Sequence, residues 1–347
     1  MSGTRILFVA DFDRRSATAH FYGVNFVLYA GLVRAGYHVV AFSDRDTARE
    51  RSLFGRKKLG RRSMNRALVD TARNVAPHLV LFGHADLTTA DTFAALRNAV
   101  PGIKLAQYTV DALFRTSTMA AFARRAAHMD RSFITSAGPD ALRNIGAPAG
   151  TLAYMPYPVD PALTVRNVSE IPRDALDFDG IFLGSGIQTR NRQIDELKRR
   201  LSPDFRFFAG GGIAQSARLQ GIEFLKTLTC AAMSPSLPLD DTEPVDHLYT
   251  SDRITQILGN GILSFCHETA GLDALYEDGI VTYSTIADVA EQMSTLAKDD
   301  TTRQHIAKRG YTIATTRTAT DRVARYLIDQ TLGDGPREDY GWPSKLI

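Results

Sequence analysis

Four short stretches in the second half of the chain combine glycine, arginine and acidic side chains as a phosphate-bearing ligand would require. Gly184-Ser185-Gly186 is followed by Arg190 and Arg192. Glycines allow close backbone approach, a helix start presents free N–H groups, and arginine clamps phosphate. That combination suits a nucleotide diphosphate, and it would equally suit a plain strand-to-helix turn. Gly210-Gly211-Gly212 is either a backbone edge for a base or phosphate, or a flexible loop. Ser251-Asp252-Arg253 leads to Gln256. Ser251 has the chemistry of an N-cap, and Asp252 favours the positive end of a helix dipole. Asp252 and Gln256, four apart, share a helical face that can accept hydroxyl hydrogen bonds, while Arg253 reaches phosphate. The run His267-Glu268-Thr269-Ala270-Gly271-Leu272-Asp273 is unusually polar. Its amides, Glu268, Gly271 and Asp273 are candidates for gripping phosphate or sugar hydroxyls.

The first half supplies candidates for proton transfer. Asp11, Asp13, His84, Asp86 and Asp111 each fall just after an apolar run. A hydroxyl nucleophile needs a carboxylate or imidazole within hydrogen-bond reach. His84 beside Asp86 reads as a base with its orienter, and Asp111 and Asp13 are further candidates. Each would also serve as an ordinary turn or cap residue. Asp44-Arg45-Asp46 matches an Asp-x-Asp metal pattern, in a loop after the second strand, but the histidines have no zinc spacing. No metal site and no cofactor is expected. From Arg49 to Arg66, eight basic residues and one acid, Glu50, are interspersed with Leu53, Phe54, Leu59 and Met64. Basic amphipathic segments favour an anionic acceptor or a lipid surface, and residues 49–66 are a candidate for peripheral membrane contact, or a solvated loop. The charge is local and no recognition motif accompanies it, so nucleic acid is not expected.

The elements needed to position these residues follow from periodicity. RILFVA (Arg5–Ala10), HLVLF (His78–Phe82) and IKLAQY (Ile103–Tyr108) read as buried strands, with helices over Phe21–Ala35, Asn65–Val75 and Thr89–Ala99. Pro156, Pro158, Pro161 and Pro172 interrupt the pattern. A second alternation starts at GIFL (Gly180–Leu183) and continues through FRFFA (Phe205–Ala209) and ILSFC (Ile262–Cys266) to a last helix over Ala319–Thr331. Alternating strands and helices imply parallel sheets covered on both faces. The expected class is α/β, with two Rossmann-like domains facing a central cleft. Residues 1–155 would form the N-terminal domain, 156–174 a proline-rich linker, 175–330 the C-terminal domain and 331–347 a tail. In such sheets ligands bind beyond the carboxyl ends of the strands.

Bulk properties agree. The 347 residues suffice for two domains at roughly 100–200 each. A net charge of +3 names no partner class. Two cysteines, Cys230 and Cys266, argue for a reducing compartment rather than a disulfide scaffold. No secretory leader and no membrane-length apolar run is seen, so a cytoplasmic protein is expected.

The run SDRITQILGNGILSFCHETAGLDALYEDGIVTY resembles the donor-binding segment of GT-B glycosyltransferases, most closely the family that includes the spore maturation protein CgeB. Its pattern falls on Ser251, Arg253, Gln256, Gly261, Gly271, Leu272, Gly279 and Tyr283. The likeness is good over residues 180–328 and looser, at the level of strand order, over 1–150. It implies a nucleotide-sugar donor held by Gly184, Ser185, Arg190, Gly210, Gly211, Asp252, Arg253, Gln256, Glu268, Gly271 and Asp273. It also implies a glycan, lipid-linked or protein acceptor and a role in bacterial surface polysaccharide or glycoconjugate synthesis. Gln256 stands where such enzymes carry a ribose-binding glutamate; its carbonyl still accepts a hydrogen bond but brings no charge. That departure keeps two alternatives open, a GT-B-fold nucleotide-sugar epimerase and a non-catalytic scaffold.

Overall fold

A computed structural model describes residues 3–138, 142–184, 186–213, 216–238, 245–333, 335–345 and 347. Two compact units divide the chain, one formed by Met1–Pro158 with Thr320–Ile347 and the other by Val159–Ala319.

The first unit is built on a parallel sheet of β1 (Arg5–Ala10), β2 (His38–Ser43), β3 (Leu79–Gly83), β4 (Lys104–Thr109), β5 (Arg131–Ile134) and β6 (Leu152–Tyr154), in the order β2-β1-β3-β4-β5-β6. β1 and β3 are the most continuously apolar runs and are neighbours inside the sheet, with Phe8 opposite Leu81. β2, at the edge, is half solvent-facing. β6 was not foreseen, because three residues beside a proline cluster carry no readable period.

The helix Lys57–Val75 begins eight residues before the expected Asn65 and takes in much of the basic segment. Asp44-Arg45-Asp46, expected in a loop, opens the helix Asp44–Glu50. Apolar periodicity failed to mark either start, because both are dominated by charged residues.

The last helix, Thr320–Leu332, and the tail correct the expected domain limits. Thr320 Oγ1 donates to the Val27 carbonyl at 2.7 Å, and Tyr326 donates to the Tyr154 carbonyl at 2.9 Å. Arg131 Nε donates to the Gln330 carbonyl at 2.8 Å. Tyr340 and Trp342 pack their rings on Tyr326, and Ile347 exchanges backbone hydrogen bonds with Leu152 and Gly150. The helix therefore belongs to the first unit, although in sequence it continues the helices of the second. Gly31, in the helix Val24–Arg34, makes this packing possible, since a Cβ there would collide with the Thr320 carbonyl and hydroxyl. Gly31→Ala is expected to cost about 1–3 kcal/mol. Urea unfolding measures it, and an unchanged midpoint would contradict this docking.

The second unit holds a parallel sheet of β7 (Phe178–Leu183), β8 (Phe207–Gly210), β9 (Ala231–Ser236), β10 (Leu263–His267) and β11 (Val281–Tyr283), ordered β11-β10-β9-β7-β8. The segment expected as a linker over 156–174 is instead folded onto this unit from Val159 onward. Val159 N donates to Thr318, Val168 N donates to Asn260, and the Thr164 hydroxyl donates to Gly259. Short 3-10 turns at Pro161–Leu163, Val168–Glu170 and Arg173–Ala175 accommodate the prolines.

Both sheets place their first strand between their second and third. Each therefore has a switch point at its carboxyl edge, between β1 and β3 in one and between β7 and β9 in the other, where open parallel sheets bind ligands.

Candidate functional site

In the second unit Arg253 lies at the switch point. It stands in the first turn of the helix Asp252–Gly259. Its Nε donates to the Leu183 carbonyl, the last residue of β7, at 3.2 Å. Its Nη1 donates to the carbonyl of Leu237, just past β9, at 3.4 Å. The guanidinium stacks over Phe182 with 4.6 Å to the ring centre. Arg190, buried in the helix Gln188–Arg200, lies over the same ring with 5.7 Å to its centre and shares the Leu237 carbonyl at 3.5 Å. Burial lowers the Arg253 pKa, with the Asp252 carboxylate acting against it. An arginine remains charged through such a shift. Among the described residues the Arg253 guanidinium has no carboxylate ion-pair partner, and the atoms that accept its hydrogen bonds are carbonyl oxygens. Two guanidinium groups thus meet one aromatic ring and one carbonyl oxygen.

The glycine turns complete this edge. Gly184 N donates to the Gly210 carbonyl at 3.2 Å, and a Cβ on Gly184 would lie 3.3 Å from Arg253 Nη2. Gly211 has φ +79° and rests against Gly184. Gly186 packs so closely on Gly212 that a Cβ would collide with its carbonyl. The glycines after β7 and β8 thus interlock beside Arg253, and their spacing reflects backbone contact rather than loop flexibility. Ser185 lies outside the described residues.

The loop after β10 is on the same sheet edge. Glu268 opens its 3-10 turn, and Gly271, at φ +58°, closes it. Asp273 starts the helix Asp273–Tyr276. Glu268 and Asp273 are both exposed. His267 Nδ1 accepts from Thr269 N at 3.3 Å, and its ring meets Tyr283 edge-on. Tyr283 in turn donates to the Ser236 carbonyl at 2.9 Å, and burial raises its pKa. Gly271 admits His247, whose Nδ1 would be 2.8 Å from a Cβ there. Ser251 occupies the N-cap position, but its hydroxyl makes no cap hydrogen bond. Asp252 and Gln256, expected to form one polar face, differ: Asp252 is exposed and Gln256 buried. Arg192 is exposed on its helix. Phe182, Leu237 and His247 escaped the sequence reading. Only Phe182, two residues before the Gly184 turn at the strand end, carried a usable signal.

In the first unit the acids and His84 gather at the other switch point. Arg45 spans it, pairing with Asp11 after β1 at 3.0 Å and Asp86 after β3 at 2.9 Å. Asp86 is therefore engaged, and the expected His84–Asp86 arrangement is replaced by another. His84 Nδ1 lies 3.7 Å from Asp111, which also has Arg115 at 3.7 Å. His84 adopts φ +46°, a strained conformation for a side-chain-bearing residue. Burial lowers its pKa below the ordinary value, with Asp111 and then Asp86 opposing. Asp13, also at positive φ, sits 3.9 Å from His20 and outside this pair.

Asp44 and Asp46 are both buried. Asp46 is consumed by Ser43, Arg14 and Arg49. Among the described residues neither carboxyl oxygen of Asp44 has a partner at ordinary hydrogen-bond geometry, the Arg45 backbone N–H giving only a weak contact. Burial raises its pKa to about 7; Arg45 opposes the shift, while Asp11 and Asp86 add to it. The folded pKa exceeds the unfolded value, so stability is fully present below the unfolded pKa and is lost as pH rises toward 7. Asp44→Asn is therefore expected to stabilise the protein at pH 8 by roughly 1–3 kcal/mol and to change little at pH 4. Melting curves at the two pH values test it. Destabilisation at pH 8 would show that a charged Asp44 is satisfied in the fold. Among the described residues no cluster of three or more metal-ligating side chains occurs.

Residues 190–329 match the family described as Glycosyl transferase-like. No curated protein matches the chain in sequence. Among solved structures, HepE of Anabaena in complex with UDP superposes with a TM-score of 0.60 at 14% identity, covering 94% of this chain and 99% of that one. Sucrose-phosphate synthase from Thermosynechococcus elongatus gives 0.62 at 12% identity, covering 92% and 96%. AviGT4, a glycosyltransferase involved in avilamycin A biosynthesis, gives 0.56 at 12%, covering 94% and 96%. The chain thus has the GT-B fold, two α/β domains each on a parallel sheet.

Proposed function

We propose that this chain is a metal-independent glycosyltransferase, CgeB-like within the GT-B class. It would take a nucleotide-sugar donor on its second unit and a glycan, lipid-linked or protein acceptor through its first. The observation that carries this reading is Arg253. It is held at the β7–β9 switch point with Arg190 across Phe182, beside interlocked glycine turns. As the bond from sugar to phosphate breaks, negative charge grows on the leaving diphosphate. Two preset cations stabilise that charge most where it is largest. Gly184, Gly210 and Gly211 would let the phosphates approach the interlocked turns without a side chain in the way, and Glu268, Gly271 and Asp273 are available to sugar hydroxyls. Gln256 would contribute hydrogen bonding without charge.

His84 serves as the base of an inverting transfer. The Asp111 carboxylate favours the Nδ1–H tautomer, leaving Nε2 to take the acceptor hydroxyl proton. Burial keeps the imidazole neutral at pH 7. The acceptor oxygen bonds to the sugar's anomeric carbon as the diphosphate departs. A cytoplasmic site of action and a role in surface polysaccharide or glycoconjugate synthesis accompany the reading.

UDP-sugars are the first donors to test, because HepE was solved with UDP and with UDP-glucose. Mass spectrometry of reactions with a donor and acceptor panel should show free nucleoside diphosphate and a glycosylated acceptor. Recovery of an isomerised nucleotide sugar would establish an epimerase instead. Intact donor throughout would establish a scaffold.

A further inference from the structure

The seven residues Leu53 to Leu59 carry the three most exposed large apolar side chains among the described residues: Leu53 at 97%, Phe54 at 76% and Leu59 at 62%. They are not on a slack loop. Ser52 Oγ accepts from Phe54 N at 3.4 Å and Arg56 N at 3.2 Å, and Gly55 N donates to the Ser52 carbonyl at 3.1 Å. Just behind this tip, Gly60 lets the helix Lys57–Val75 press onto Ala48, where any Cβ would collide with the Ala48 carbonyl. The turn is therefore fixed to the unit with its apolar side chains in water.

The charge around this tip has one sign. Eight cations and Glu50 give residues 49–66 a charge of +7, against +3 for the whole chain, so the remainder is net negative. Glu50 is already paired with Arg14, and Arg49 with Asp46. Among the described residues Arg51, Arg56, Lys57, Lys58, Arg62 and Arg66 enter no ion pair. A protein that leaves these cations without carboxylates, and places most of Leu53 and Phe54 in water between them, forgoes both electrostatic and hydrophobic stabilisation in the free state.

We infer that residues 51–66 are a docking surface for an anionic lipid bilayer, with Leu53, Phe54 and Leu59 entering the headgroup region and the surrounding cations meeting lipid phosphates. A soluble polyanion would satisfy the cations but not the apolar side chains, and an apolar partner would leave the cations unpaired. An anionic bilayer answers both. No helix among the described residues is long and apolar enough to cross a membrane, so this contact is peripheral. The inference is independent of the donor-site reading.

The test is co-sedimentation of the full chain with phosphatidylcholine vesicles, with and without phosphatidylglycerol. Binding is expected only with phosphatidylglycerol and should weaken as salt rises. Near an anionic surface each cation contributes roughly fivefold in partition, so Lys57→Glu with Lys58→Glu should lower binding by at least about 25-fold. Leu53→Ser with Phe54→Ser should lower it by roughly tenfold or more. Leu53, Phe54 and Lys58 are exposed and Lys57 is half-buried, and an unchanged melting curve establishes that each variant is folded. In the variant Phe54→Trp, emission should shift to the blue on adding phosphatidylglycerol vesicles; buried Trp342 supplies the constant background. Equal binding to both vesicle types would overturn the proposal. So would heparin binding of the same strength as vesicle binding with no effect of the serine substitutions, which would identify a soluble polyanion site.

Discussion

Alanine at Arg253 is expected to weaken binding of a nucleoside diphosphate roughly a hundredfold, about 2–3 kcal/mol. The guanidinium is held by the Leu183 and Leu237 carbonyls and by Phe182, so it need not be ordered when the phosphate arrives. Lysine should not restore binding, because one ammonium cannot reach two strand-end carbonyls and stack on a ring as the planar fork does. The substitution also removes contacts between β7 and the segment after β9, so the free protein should melt lower. Calorimetric titration below that melting temperature separates the two effects. Undiminished affinity in the alanine variant would place the phosphates elsewhere.

Alanine at His84 should lower kcat by about 10²- to 10⁴-fold with little change in KM, as expected for a base that acts only in the transition state. The pH profile carries the sharper signature. A base works unprotonated, so activity falls as pH falls through the His84 pKa. Burial holds that pKa below the ordinary value of about 6.5, which puts the acid limb lower still. On the proposed mechanism Asp111 is a positioning residue, and its charge raises the His84 pKa. Asp111→Asn should therefore reduce kcat and also move the acid limb further down. A loss of activity at Asp111→Asn with an unmoved limb would leave Asp111 a structural part only.

Much of the carboxyl edge of the second sheet was legible in residue types. Glycine pairs at strand ends, arginines in first helical turns and the polar loop after ILSFC all fell at the carboxyl edge of the second sheet. What spacing concealed were partners distant in sequence. Arg253 meets Leu183 and Leu237, and His84 meets Asp111 rather than the nearer Asp86, which Arg45 holds. Strand order decides such pairs, and a period of two or 3.6 residues does not encode it. The same reason hid the return of Thr320–Leu332 to the first unit. Its amphipathic face fits either domain, and Gly31, nearly 300 residues earlier, determines which. The start of Lys57–Val75 was obscured differently, since charged residues carry helix propensity but no apolar period.

The most direct measurement is thermal denaturation of the wild-type chain against nucleoside diphosphates, their sugars and the matching nucleosides. A ligand bound only by the native state stabilises it in proportion to RT ln(1 + [L]/Kd). One nucleotide class should raise the melting temperature with concentration, as diphosphate and as sugar, while its nucleoside has far less effect, and Arg253→Ala should abolish the rise. If no diphosphate raises it, or the nucleoside does so equally, the β7–β9 edge is not a diphosphate site.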